Sequence, residues 1–232
     1  MEKKIAIFVF FRVDISFNRL ILNINFLHIM KIFNLIFMIM NNSNEFILRP
    51  EELSAAEIGL FDLGNGKFAK EINRQTKVRS VIAIVDEEQH MAYGLCPTYQ
   101  MMCWCPTCLG VTTQHIISGM EATRLILDEA KEKGISLPAA EFCANYEGYG
   151  VKKGEAFLAS KAEMRKMVFS SGRIFAAWRQ VGKRNIDWLA LFTSTVNNDY
   201  CIWSESFSSM MVSGWRYQCR TLGVVPMVKI KF

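Results

Sequence analysis

The sequence predicts a mixed α+β domain, and three observations carry that prediction. Val78-Arg-Ser-Val-Ile-Ala-Ile-Val85 is a β-branched run of the kind that forms a buried strand. Two segments in the middle of the chain, beginning at Ser118 and Ser160, place apolar residues at helical spacing behind a capping residue. The last third breaks into four short β-type segments separated by polar or glycine positions. Helices enclosed between strand-rich ends form an α+β pattern rather than a regular β-α alternation.

Taken in order, Phe61-Asp-Leu-Gly-Asn-Gly-Lys-Phe68 holds Gly64-Asn65-Gly66 between apolar positions, a hairpin signal because these residues tolerate positive φ. After the Val78–Val85 strand, Asp86-Glu-Glu-Gln-His90 reads as a turn and Met91–Leu95 as the returning strand. Ser118–Lys133 is the first expected helix, with Ala122, Leu125, Ile126 and Ala130 on its inner stripe, Ser118 as cap and Gly134 as stop. Leu137–Tyr146 is a second, with Ala140, Phe142 and Cys143 inward. Ser160-Lys-Ala-Glu163 is a capping box opening a third, which runs to Val168 with Met164, Met167 and Val168 toward the core. Strands are expected over 188–195, 200–207, 211–220 and 224–232, with Gly223 dividing the last two.

Residues 1–45 read differently. They are dominated by Ile, Phe, Leu, Asn and Met, and their apolar runs are interrupted by Arg12, Asp14, Asn18, Arg19, Asn23 and Asn25 before reaching the ~18–20 residues that span a bilayer. Three readings stand: a stretch upstream of the true start, a signal or membrane anchor, or a packed helix. Residues 46–232 carry the globular pattern. Hydrophobic residues make up 51% of the chain and charged ones 21%, which excludes a disordered protein. The formal charge of +5 is dispersed, without a run of five or six basic residues, so nucleic acid is not an expected partner.

Several segments, read together, carry a resemblance. Phe61–Val85 looks like an "aspartate, glycine, small turn, Lys-Thr, apolar strand" opening. Gly119-Met-Glu-Ala-Thr123 resembles a "DGxxNT" element, Ala140-Glu-Phe-Cys-Ala-Asn-Tyr146 an "AAxYCxxY" helix, and Gly154–Met164 a "GDWYLPSxxEL" segment. Phe192-Thr-Ser-Thr195 with Tyr200-Cys-Ile-Trp203 resembles "WSSTE…YAWxV", and Arg220–Phe232 a terminal "VRPVLAF" strand. In this order they resemble the DUF1566 and Fibrobacter major paralogous domains of Bacteroidetes or their phages. The chain departs from that pattern at Ala156, Ala159, Phe192 and Val196, where Trp, Pro, Trp and Glu are usual. The resemblance implies a C-type-lectin-like fold with two or three helices and short antiparallel strands, related to the variable proteins that retroelements diversify.

The expected function is non-enzymatic recognition of a protein or glycan at a bacterial cell surface, by a phage tail, a virion part or a surface protein. Asn197, Asn198, Asp199, Tyr200, Ser206, Trp215 and Tyr217 mix aromatic and short polar side chains. Tyr and Trp offer large rigid contact area, and Asn, Ser and Asp adaptable hydrogen bonds. The competing reading makes the aromatics half-buried scaffold, with Trp203 as the core member. The sequence leaves the location open, and the recognition reading favours a secreted, cell-surface or virion one. Contact with a membrane would come only through the leader, and self-association stays open. No cofactor is expected: the chain lacks the Glu-Pro-Asn or Gln-Pro-Asp loop and the Trp-Asn-Asp strand of calcium-dependent lectins, and any phosphate-cradling glycine loop.

The alternative is a metal-binding or redox enzyme. Seven cysteines stand at 96, 103, 105, 108, 143, 201 and 219. Cys96, Cys103, Cys105 and Cys108 lie within thirteen residues and are open to three readings: a zinc site, a disulfide pair or buried thiols. Cys201 and Cys219, on expected neighbouring strands, are either a cross-strand pair or two small apolar side chains. His28, His90 and His115 stand outside any Ser/His/Asp or Cys/His context, with His90 expected in solvent after its acidic turn.

Overall fold

The Gly64-Asn65-Gly66 turn adopts the conformation its residues favour. All three have positive φ (86°, 55° and 73°), and they join β2 (Phe61–Gly64) to β3 (Lys67–Ala69) as an antiparallel hairpin. The structure is a computed structural model describing residues 45–181, 190–197, 201–207 and 213–232. The leader readings, apart from its last residue, lie outside the described residues. Among those residues no helix is long and apolar enough to cross a membrane.

Two sheets form the frame. The first has seven strands in the order β1-β3-β2-β4-β5-β12-β7, with β1 Glu45–Ile47, β4 Ser80–Asp86, β5 Met91–Leu95, β7 Ala156–Phe157 and β12 Met227–Ile230. The second has the order β10-β9-β8-β11-β6, with β6 Gln100–Cys103, β8 Ala190–Val196, β9 Cys201–Ser206, β10 Gly214–Tyr217 and β11 Thr221–Val224. The pairings are antiparallel except β11 with β8, which is parallel. The chain passes to the second sheet between β5 and β6, returns to the first for β7, goes back for β8, and crosses to the first again between β11 and β12. A Cys96 N–H to Pro226 carbonyl bond of 2.9 Å holds the first and last of these crossings together.

Among the described residues four α-helices lie between the strands: α1 (Gly119–Lys133), α2 (Pro138–Ala144), α3 (Lys161–Val168) and α4 (Ser171–Val181). The α+β class is borne out. The first three helices match the sequence reading, including the Ser118 cap, the left-handed Gly134 stop and the Ser160–Glu163 capping box. α4 raises the helix count above the two or three expected. Its start, Ser170-Ser171-Gly172, reads as a breaker, yet Ile174, Phe175, Ala177 and Trp178 form a buried stripe that packs on β4. Tertiary burial outweighs the weak local propensity. Two inward assignments change. Leu125 is exposed on α1, and Val168 is exposed at the end of α3. β11 also runs through Gly223, which had been expected to separate strands.

The core has two main parts. One lies against the first sheet and takes Phe61, Leu95, Phe157, Met164, Met167 and Trp178. The other lies against the second sheet under α1 and α2 and takes Trp104, Leu109, Ile126, Leu137, Phe192 and Ile202. Fully burying each such side chain contributes about 1.5–3 kcal/mol before entropy is counted.

Candidate recognition face

The C-terminal strands carry the nominated residues, and strand parity decides where each points. In β9, Cys201, Trp203 and Glu205 share one face, and Ile202, Ser204 and Ser206 the other. β10 pairs antiparallel with β9, setting Trp215 opposite Trp203 and Tyr217 opposite Cys201. Trp215 and Tyr217 therefore share a face with Trp203.

Trp203 and Trp215 meet edge to face, with centroids 5.4 Å apart and planes at 87°. Such a cross-strand aromatic pair adds about 0.5–1.5 kcal/mol beyond its area. Trp203 is 8% exposed and belongs to the scaffold, as the competing sequence reading had it, whereas Trp215 is half-buried. Above them lie two cations one helical turn apart on α3. Lys161 Nζ sits 3.7 Å from the Trp203 centroid and 5.2 Å from that of Trp215, and Arg165 Cζ is 5.0 Å from Trp203. Burial, then the neighbouring Arg165 charge, lowers the Lys161 pKa from its ordinary value, while Glu205 opposes them.

Glu205 organises the underside of this cluster. It is buried, accepts a 2.7 Å bond from Trp203 Nε1 and a 2.6 Å bond from Ser213 Oγ, and lies 4.0 Å from Arg165 Nε. Ser213 Oγ in turn accepts the Ser206 N–H at 2.9 Å. The α3 end of the cluster is fixed as well, since the Lys161 N–H donates to Thr195 Oγ1 on β8 at 2.9 Å. Trp203 is thus held by a hydrogen-bonded carboxylate, and Trp215 packs edge to face against it. Two residues beyond Trp215 along β10, Tyr217 is 66% exposed.

The four nominated residues that the structure describes, Asn197, Ser206, Trp215 and Tyr217, do not form one compact patch. Asn197 closes the β8–β9 turn: its N–H donates to the Cys201 carbonyl and its Oδ1 accepts the Cys201 N–H, both at 2.9 Å. Asn198, Asp199 and Tyr200 lie outside the described residues. Ser206 sits at the far end of β9, about 17 Å from Cys201 at the usual strand rise, and belongs to the opposite face from Trp215. Tyr217 is the cross-strand partner of Cys201, which Asn197 bonds. Sequence reasoning missed Lys161, Arg165 and Glu205. The signal for the first two was an i, i+4 basic pair on a capped helix with few acids on the same face.

The cysteine-rich segment is held by a different group. Gln218 is fully buried; its side chain accepts the Leu109 N–H at 2.6 Å and donates to the Leu109 carbonyl at 3.1 Å, while its own carbonyl accepts the Cys105 N–H at 3.0 Å. Trp104 Nε1 donates to the Thr193 carbonyl at 3.0 Å. Cys105 is buried with its thiol against the Thr107 and Ser136 carbonyls. Cys96 and Cys143 are also buried, and desolvation pushes both thiols far above the ordinary cysteine range. Neutral thiols of this kind are poor nucleophiles. Among the described residues no three His, Cys, Asp or Glu side chains are arranged to hold a metal, and no disulfide is present. His90 is exposed, as its acidic turn implies; His28 lies outside the described residues.

His115 lines a cleft of about 690 Å³ with Asp86, Tyr93, Glu121, Glu163 and Lys166. Asp86 pairs with Lys166 at 3.2 Å, and both Glu163 oxygens accept backbone N–H groups. Those carboxylates serve the scaffold. In comparisons with known proteins no family model matches the chain, and neither a curated protein nor a solved structure matches it.

Proposed function

We propose that residues 46–232 form a non-enzymatic recognition module of C-type-lectin-like architecture, which binds a protein or glycan at a bacterial cell surface as a phage tail component or a surface protein. The observation that carries this reading is the aromatic ledge of β10. Tyr217 projects into solvent opposite Cys201, and the half-buried Trp215 behind it is locked by Trp203 and Lys161. A rigid aromatic anchor loses little side-chain entropy on binding, which is what a recognition surface needs. Ser206, at the other end of β9, falls outside the ledge, so the contact surface contracts to Trp215 and Tyr217.

Labelled protein is tested against Bacteroidetes cells and a glycan array, beside a Trp215→Ala variant checked for folding. Binding by the parent protein that falls at least tenfold in the variant supports the reading. Equal binding by both moves the surface elsewhere. A reverse transcriptase gene and a near-identical template repeat beside the coding sequence would add diversification to the role.

A further inference from the structure

Cys103 and Cys219 differ from the buried thiols in where they stand. Cys103 ends β6 opposite Thr221, the first residue of β11, and Cys219 stands two residues before that strand, diagonal to Cys103 and level with Cys105 in the continued register. Cys219 lies in the tight turn after β10, closed by an Arg220 N–H to Tyr217 carbonyl bond of 3.1 Å. The Gln218 carbonyl oxygen is 3.6 Å from Cys103 Sγ and accepts the Cys105 N–H at 3.0 Å. The carbon of that carbonyl is bonded to the nitrogen of Cys219, so the Cys103 thiol points at the peptide unit from which the Cys219 side chain departs. Cys219 also contributes to the raised pKa of Cys103, after burial, which agrees with this proximity. Cys219 is exposed and Cys103 half-buried, so one sulfur is open to a disulfide from solution and the other is placed to resolve it. Of the other cysteines, Cys105 is buried against carbonyls, Cys201 faces Tyr217 across β9 and β10, and Cys108 is exposed beside Cys105.

We propose that Cys103 and Cys219 are a disulfide-forming pair, which staples the turn following β10 to β6 by exchange with a small disulfide such as glutathione disulfide. The Cys219 thiolate attacks one glutathione sulfur, the glutathione S–S bond breaks, and one glutathione thiolate leaves. The Cys103 thiolate then attacks the Cys219 sulfur of the mixed disulfide and expels the second glutathione. The two thiol protons end on two glutathione molecules, so the protein loses two electrons and the glutathione disulfide gains them. The cross-link fixes Tyr217, two residues before Cys219. This inference stands whether or not the ledge is a recognition surface.

The full chain is equilibrated in glutathione buffers from reducing to oxidising, blocked with N-ethylmaleimide, digested with trypsin and sequenced by mass spectrometry. Cys219 falls in the short peptide 217–220, while Cys96, Cys103, Cys105 and Cys108 share one long peptide, so backbone fragmentation assigns the partner. The expected result is peptide 217–220 joined to Cys103 in most molecules at the oxidising end, two mass units below the sum of the reduced peptides. The link is lost in Cys103→Ser and retained in Cys105→Ser, Cys108→Ser and Cys201→Ser. Cys219 recovered as the maleimide or glutathione adduct, or joined to Cys105, Cys108 or Cys201, overturns the pairing. The wild-type assignment decides the matter even if a variant fails to fold.

Discussion

Glu163, the third residue of α3, accepts a 3.0 Å hydrogen bond from the backbone N–H of Gly119, the first residue of α1. Its other oxygen accepts the Ser160 N–H at 2.7 Å, so one carboxylate caps the helix it belongs to and ties down the start of another. One turn along α1, Thr123 Oγ1 donates to the Leu158 carbonyl at 3.1 Å and accepts the Leu158 N–H at 3.0 Å. Gly119 and Thr123 therefore clasp the 158–160 segment from the same side.

This clasp leaves no room at residue 119. A Cβ there would lie 2.7 Å from the Leu158 carbonyl oxygen and from the Ser160 nitrogen, both backbone atoms that cannot swing away. Gly119→Ala is expected to destabilise the fold by about 1–3 kcal/mol, as overpacking of a close contact does. Urea unfolding of the two proteins measures it, and equal midpoints would contradict the clasp.

Burial raises the Glu163 carboxyl above its ordinary value of 4.5, outweighing the bonds from Ser160 and Gly119 that favour the anion. A carboxyl with a raised folded-state pKa binds its proton more tightly folded than unfolded. Its favourable contribution is complete below the ordinary value and is lost as pH rises through the raised one. Falling pH, from neutral toward 4.5, should therefore improve the stability of the parent protein relative to Glu163→Gln. A difference between the two that stays flat across this window would contradict the shift.

Asp62 and Arg79 form a buried pair at 3.1 Å in the first sheet, and Asp62 also accepts from Ser80 Oγ and the Gly64 N–H, each at 2.8 Å. Asp62→Ala leaves the Arg79 guanidinium buried with the Lys229 carbonyl as its remaining acceptor. The expected cost is about 3–5 kcal/mol, readable by chemical denaturation. A loss under ~1 kcal/mol would mean that the guanidinium escapes to water.

Trp203→Phe keeps an aromatic ring under Lys161 but removes the indole N–H from Glu205. The buried carboxylate then retains Ser213 and the distant Arg165, and the protein should lose about 1–3 kcal/mol. Thermal unfolding compares the two proteins, and an unchanged midpoint would show that Glu205 is satisfied without the indole.

Local signals made much of the fold legible. Gly64-Asn65-Gly66, the Ser118 and Ser160 caps and the Gly134 stop each act through near neighbours, and each stands where the sequence puts it. α4 escaped because its stability comes from β4, far away in sequence, while its own first residues argue against a helix. The candidate site was half legible for the same reason. The aromatics of β9 and β10 show in composition, but Lys161 and Arg165 reach Trp203, and Lys161 Trp215, only after α3 docks beside β8 and β9. The buried role of Glu205 depends on Ser213, placed by strand pairing rather than by any local pattern.

The most direct test of the recognition face is Tyr217→Ala, because that side chain is exposed and its removal should change folding stability by less than about 0.5 kcal/mol. Binding of parent and variant to the same cell-surface preparation is measured by titration. The account predicts a loss of at least tenfold in affinity with an unchanged unfolding midpoint. Equal affinity in the two folded proteins would contradict it.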